Sequence, residues 1–215
     1  MNHLFILAGP SMIGKTTLLS KIIEAGLCEG LNKYSSRKKR EKGFDDIIHV
    51  DDIYDSKYGC DIIYEMYDNL YGVNTNEIKA KLQNKNQIVI ISEVNAINKI
   101  IEIFDENATV ILLFLSGNMP IGEYLRIYLT RREVPLIIKE DIFLLMIDNE
   151  ESRFKIKDCL PDREYHQFIQ RYENQTDFEK IFHKKKNRFI LLDGQSIDTV
   201  YNKFNNIYKE KTKGD

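Results

Sequence analysis

The segment Gly9-Pro10-Ser11-Met12-Ile13-Gly14-Lys15-Thr16-Thr17 fits the pattern G-x-x-x-x-G-K-[ST], and its flanks restrict how a chain carrying it can fold. Before it, Leu4-Phe5-Ile6-Leu7-Ala8 is an apolar run of strand length. After it, Leu18, Leu19, Ile22 and Ile23 recur at helical spacing. A buried strand, a glycine-bounded loop and a helix in that order perform a defined task. The glycines let the backbone curl so that successive N–H groups face an anion. The helix N-terminus adds partial positive charge beneath it. The spacing therefore reads as a nucleoside triphosphate site: residues 9–17 cradle its phosphates, Lys15 reaches the β and γ phosphates, and the Thr16 hydroxyl ligates Mg²⁺.

The rest of the chain repeats the same alternation. Gln87-Ile88-Val89-Ile90-Ile91 and the run from Thr109 to Leu115 are continuous apolar strands of the kind buried on both faces of a parallel sheet. Val94, Ile97, Ile101 and Phe104 keep one helical face, and Asn74 with Glu77 forms a capping pair opening a helix to about Asn84. Residues 60–73 read as extended structure ending at Gly72. Helices are expected over 120–130, 139–152 and 162–182, a last strand over 188–192, and an amphipathic terminal helix through Ile197, Val200, Tyr201, Phe204 and Tyr208. Alternating strands and helices imply an α/β fold with a mainly parallel sheet covered on both faces.

At 215 residues the chain suits one medium domain. A formal charge of −2 excludes a general polyanion binder, so nucleic acid is not an expected partner. Cys28, Cys60 and Cys159 lack C-x-x-C spacing, which argues against a disulfide framework or a zinc site and fits a reducing compartment. With no signal peptide pattern and no apolar run near the ~20 residues of a membrane span, the expectation is a cytoplasmic protein without a membrane partner. The sequence leaves the oligomeric state open.

Three features beyond the loop could carry chemistry. Ser35-Ser36-Arg37-Lys38-Lys39-Arg40 places two arginine forks beside hydroxyls, a set able to clamp a phosphomonoester, or else an exposed basic turn. Glu93 follows the 87–91 strand, where ligands bind in open α/β sheets; it either serves an acceptor or complements a helix dipole. Arg126, Arg131 and Arg132 could stabilise a transferring phosphoryl group or form a salt-bridged surface. Lys184-Lys185-Lys186 reads as a solvated helix end.

Taken together, these segments resemble guanylate kinases, within the nucleoside monophosphate kinase group. Leu7-Ala8-Gly9-Pro10-Ser11 with Gly14-Lys15-Thr16-Thr17-Leu18-Leu19 is similar to that family's "SGPSGxGKSTL" opening. Ser35 to Arg40 resembles its "TTRxxR" segment, which implies that Ser36, Arg37 and Arg40 bind the acceptor and that the two arginines hold its phosphate. Leu70-Tyr71-Gly72 resembles "YYG", implying a phosphate contact from Tyr71. Ile91-Ser92-Glu93-Val94-Asn95-Ala96 stands in the place of "IDxQGA", with Glu93 for the acceptor-site Asp, and Arg131-Arg132 falls where the lid arginines begin. The resemblance implies a P-loop NTPase three-layer α/β/α fold with a five-stranded, mainly parallel sheet, a small acceptor-binding insert and a helical lid. As a single domain over 1–215, the core would take 1–33, 85–125 and 155–215, the insert 34–84 and the lid 126–154. It also implies phosphoryl transfer from ATP, with Mg²⁺, to GMP, dGMP or another nucleoside monophosphate.

The departures cluster on the acceptor side. Ile62 stands where the family's guanine-reading Glu is expected; a one-residue slip would bring Asp61 there instead. Val73 replaces a small hydroxyl residue after "YYG", and Ile47 or His49 stands where a tyrosine is expected. A further lid arginine falls on Leu145 or Met146, leaving Arg153 as its substitute. A site without its hydrogen-bonding partners loses discrimination. Two alternatives follow: a small sugar phosphate as acceptor, since ribose bisphosphate phosphokinases share a "YGV" like Tyr71-Gly72-Val73, or a nucleotide-binding interaction module with little catalysis.

Overall fold

Leu4–Ala8 forms β1, and every residue of it is fully buried because the strand lies in the middle of a sheet and between two layers of helices. The computed structural model describes residues 2–9, 13–38, 46–114, 121–132, 149–184, 189–193 and 196–212. The main sheet has the order β2-β7-β1-β8-β9, from Glu29–Gly30 (β2), Gln87–Ile90 (β7), Ala108–Phe114 (β8) and Phe189–Asp193 (β9) with β1. Each of its neighbouring pairs runs parallel.

The two-residue period of the strands sorts their side chains into two cores. Leu4, Ile6, Ala8, Val89, Val110 and Leu112 face one side, where Ala96, Ile97, Ile100, Ile101 and Phe104 of α3 (Val94–Phe104) cover them. Phe5, Leu7, Ile88, Ile90, Ile111 and Leu113 face the other, against Leu18, Leu19 and Ile22 of α1 (Lys15–Glu24) and Val200, Phe204 and Ile207 of α7 (Ile197–Thr212). Burying one such side chain contributes about 1.5–3 kcal/mol, so these two apolar layers dominate the stability of the domain. The parallel α/β expectation is met.

A second sheet of order β4-β3-β6-β5 is built from Lys33–Ser35 (β3), Ile47–His49 (β4), Ile62–Met66 (β5) and Asn69–Val73 (β6). The expected single extended run over 60–73 is a hairpin: β5 and β6 pair antiparallel, and Tyr67 and Asp68 turn between them with positive φ. Asn74 caps α2 (Thr75–Leu82) by accepting from the Glu77 N–H at 3.0 Å, as its spacing to Glu77 predicts. Further on, α4 (Ile121–Arg132), α5 (Glu150–Cys159) and α6 (Asp162–Lys184) share a third cluster of Ile121, Tyr124, Leu125, Tyr128, Ile156 and Phe168. The helix expected over 139–152 meets the structure only at its end: Asn149 caps α5 through the Ser152 N–H, and residues 139–148 lie outside those described. Lys184 ends α6, while Lys185 and Lys186 are outside the described residues.

Candidate active site

Because the main sheet is parallel, the segments following β1 and β7 emerge at one edge, and the glycine-bounded loop lies there. Gly9 leaves β1 with φ 129°, pressed so closely on β8 that a Cβ would sit 2.3 Å from the Leu113 carbonyl oxygen. Glycine is required at that point by both conformation and space. Gly14 takes φ 98° at the N-cap of α1, and among the described residues nothing lies within 4 Å of its missing Cβ. Gly14 gives α1 no side-chain cap, and its first turn holds no acidic residue. The first-turn N–H groups and the dipole therefore face the loop without a competing carboxylate from that turn. Lys15 is half-buried and folds back so that its Nζ donates to the Gly9 carbonyl at 2.8 Å. Thr16 is half-buried and Thr17 exposed, while Ile13 packs against the α1–α7 core. Pro10, Ser11 and Met12 lie outside the described residues.

The second sheet is tied to this edge by a lysine that sequence reasoning missed. Lys33, 6% exposed, donates from Nζ to the carbonyl of Ile90, the last residue of β7, and its Nζ lies 2.9 Å from Asp46 Oδ2. The same ammonium stands 6.0 Å from the ring centroid of Tyr71. A buried lysine held by a carboxylate and a carbonyl keeps its charge compensated. Its position within an otherwise ordinary β segment gave no signal, because both partners are distant in sequence.

Around this anchor the structure gathers some of the expected acceptor residues. Ser35 and Tyr71 are register partners on β3 and β6. The buried Ser35 hydroxyl donates to Leu70 O at 2.6 Å, leaving the neighbouring Ser36 as the exposed hydroxyl. Arg37 follows at the end of β3, with its guanidinium donating to Lys38 O at 3.1 Å, and its carbonyl lies 2.8 Å from His49 Nδ1. Arg40 lies outside the described residues. Tyr71 stacks on Tyr64 at 5.4 Å and 14°. Burial pushes the Tyr64 hydroxyl pKa well up, and Tyr71, Asp46 and Glu93 add to the shift. Glu93 lies beside the second sheet, lining one cavity with Tyr64 and Glu65 of β5. Its two carboxylate oxygens accept from the backbone N–H groups of Asn95 at 2.9 Å and Ala96 at 2.6 Å, so it is the N-cap of α3.

A cavity of about 340 Å³ opens between β5 and the start of α3, lined among others by Ile62, Tyr64, Glu65, Glu93, Asn95 and Lys99. At its base, Ile62 is 3% exposed and pairs in register with Val73, 4% exposed, both inside the α3-side core. Asp61 is engaged as well: its carboxylate accepts from the Thr75 N–H at 2.8 Å and from the Thr75 hydroxyl. Two of the positions of departure from the guanylate kinase pattern, Ile62 and Val73, are thus packed against each other, and the neighbouring acid is committed to the start of α2.

Arg131 and Arg132 end α4, and Arg126 lies within it; the side chains of all three lie outside those described. Arg153 on α5 pairs with Glu173 on α6 at 2.7 Å, and Leu145 and Met146 are outside the described residues. Among the described residues no group of His, Cys, Asp and Glu side chains could hold a metal by itself, and no helix is long and apolar enough to cross a membrane.

No protein-family model matches the sequence, and no curated protein matches it either. Among solved structures the chain is similar to guanylate kinase from Anaplasma phagocytophilum, with a TM-score of 0.61 at 15% identity over 99% of this chain and 88% of that one. At that identity the likeness is one of fold: the chain has an α/β architecture with a parallel sheet, similar to that of a guanylate kinase.

Proposed function

We propose that this protein is a guanylate-kinase-like phosphotransferase that moves the γ-phosphoryl group of ATP to a small phosphorylated acceptor, a nucleoside monophosphate. The observation that carries this reading is the loop at the carboxyl edge of β1: Lys15 folded onto Gly9, glycines at both ends in left-handed conformations, and α1 with no side-chain cap at Gly14. This is an anion site whose positive ends are already aimed inward. ATP takes it by replacing the Gly9 carbonyl with phosphate oxygens as the partner of the Lys15 ammonium.

The described residues suit Mg²⁺ in a limited way. Thr16, half-buried in the first turn of α1, is the residue that would hold it. That agrees with an ion that keeps several waters and takes most of its remaining ligands from phosphates. When bound, Mg²⁺ neutralises charge developing between the β and γ phosphates. The chain's own residues do the rest. Lys15 orients and stabilises the transferring group, with Arg131 and Arg132 assigned the same task from the end of α4. Ser36, Arg37, Arg40 and Tyr71 hold the acceptor's phosphate from the second sheet, and Glu93 borders the acceptor cavity. In this reading residues 34–84 are the acceptor-binding insert, 126–154 the lid, and the remainder the P-loop three-layer core.

A second acceptor class, a small sugar phosphate, is supported by one observation. Ile62 and Val73 are in the core and Asp61 is engaged by Thr75, so these positions offer no free group to read a guanine edge. The test is ADP release by the purified protein with ATP and Mg²⁺ across a panel of nucleoside and sugar monophosphates. Acceleration by a nucleoside monophosphate supports the main reading, and acceleration by sugar phosphates alone supports the second. ATP binding without stimulation by any acceptor refutes both and leaves a nucleotide-binding interaction module.

A further inference from the structure

The turn between β5 and β6 is made of Tyr67 at φ 53° and Asp68 at φ 58°. Two-residue turns with both central residues in this region favour Asn and Gly, because a Cβ crowds the following carbonyl. A tyrosine there is strained, and strain of this kind persists only where the surroundings over-determine it. Here the surroundings are visible. The Tyr67 residue is 9% exposed, and Arg171 of α6 lies over its ring with the guanidinium carbon 4.2 Å from the centroid. The same carbon is 6.0 Å from the ring of Tyr128 on α4.

Arg171 thus bridges an aromatic ring of the second sheet and one of the helical module, a geometry in which both ring faces attract the cation. Tyr128 is itself well fixed. Its hydroxyl donates to Glu164 at 2.7 Å, and its ring meets Phe168 edge-on at 5.5 Å. Arg131 and Arg132 follow Tyr128 by three and four residues, one helical turn along α4. At the other end of the bridge, Tyr67 directly follows β5, the strand whose Tyr64 stacks on Tyr71.

We propose that Arg171 is a positioning residue that clamps the tip of the acceptor sheet to α4, so that the hairpin carrying Tyr71 and the helix carrying Arg131 and Arg132 move as one body. The clamp is a property of the fold; its effect on turnover rests on the phosphotransferase reading above. The strained Tyr67 is held in place by the contact between its ring and the guanidinium.

Hydrogen exchange on the nucleotide-free protein tests the clamp, comparing wild type with Arg171→Met, Arg171→Lys and Tyr67→Gly. Tyr67→Gly removes the ring while relieving the left-handed strain, so it keeps the fold where Arg171→Met could lower its stability. The expected result is exchange about tenfold faster in both β5–β6 and α4, with α1 and β8 unchanged, in Arg171→Met and Tyr67→Gly. Arg171→Lys, which keeps a cation, stays near wild type. Unchanged exchange in the hairpin for both ring- and cation-removing variants overturns the proposal, as does Arg171→Lys behaving like Arg171→Met. In acceptor-dependent turnover the clamp predicts a severalfold fall in kcat with ATP affinity unaltered. A purely structural role would lower the Tm and leave kcat per folded molecule unmoved. Coupled exchange in a protein that no acceptor stimulates would retain the clamp and remove the phosphotransferase reading.

Discussion

Replacing Gly9 by alanine separates two demands that the loop makes on its first glycine. Gly9 has φ 129°, and a Cβ there would sit 2.3 Å from the backbone oxygen of Leu113. Forcing an L-residue into such backbone costs about 1–3 kcal/mol. The overlap cannot be relieved by rotating a side chain, because the opposing atom belongs to β8, a strand paired on both sides within the main sheet. Overpacking of this kind adds about 1–3 kcal/mol, for a total of about 2–6 kcal/mol. Gly14 supplies the control. Its φ of 98° carries the conformational term, but among the described residues nothing lies within 4 Å of its added Cβ, so Gly14→Ala should cost only about 1–3 kcal/mol. Urea unfolding of the two variants and wild type measures both values. Gly9→Ala should be the less stable by about 1–3 kcal/mol, which for a chain of this size is a further fall in Tm of about 2–12 °C. Equal stability of the two variants, or Gly9→Ala within 1 kcal/mol of wild type, would refute the close approach of β1 and β8 from which the loop geometry is argued.

Three further outcomes are expected. Ile62→Glu, which installs the side chain the guanylate kinase pattern calls for, should destabilise the fold by about 3 kcal/mol or more, read as a fall in urea midpoint, because it buries a carboxyl in the α3-side core without a partner; GMP-stimulated turnover at wild-type stability would contradict this. His3 is 4% exposed with Nε2 2.8 Å from the Thr109 hydroxyl, and burial, with the charge of Lys211 adding, lowers its pKa to about 4. Its folded pKa lies below the ordinary 6.5, so the unfolded state takes the proton first. The stability it preserves is whole above pH 6.5 and falls by about 3 kcal/mol as the pH drops to 4, a decline that His3→Gln should flatten in urea titrations at pH 7.5 and 4.5. Burial pushes the Cys28 thiol up to about 12 and that of Cys60, which is partly accessible, to about 11. Iodoacetamide at pH 8 followed by mass mapping should therefore leave Cys28 unmodified in the folded protein and label Cys60 slowly, and prompt labelling of Cys28 would contradict its place in the core.

The readable parts of this chain were those whose cause is local. Continuous apolar runs announced β1, β7 and β8, since a strand buried on both faces has no polar alternation to confuse it. Asn74 and Glu77 marked a helix start because capping acts over three residues. Nothing local divides residues 62–73 into two strands, because Tyr67-Asp68 lacks the Asn-Gly chemistry that marks such turns, and the contact that retains the turn comes from Arg171, about a hundred residues away. Lys33 and Asp46 were invisible for the same reason: they anchor the second sheet to Ile90 through partners no local pattern reports. Glu93 carries two meanings in the sequence, and the structure shows it capping α3 at the border of the cavity beside β5. Ile62 and Val73 looked like two separate losses and are one packed pair.

In the proposed function the loop from Gly9 to Thr17 holds the triphosphate of ATP through Lys15. Titration calorimetry of ATP with Mg²⁺ into wild type and Lys15→Ala tests it most directly. Saturable binding to wild type is expected, with at least a tenfold loss of affinity, about 1.4 kcal/mol, in a variant that keeps the wild-type Tm. Equal affinity in the two proteins, or no binding to wild type, would contradict it.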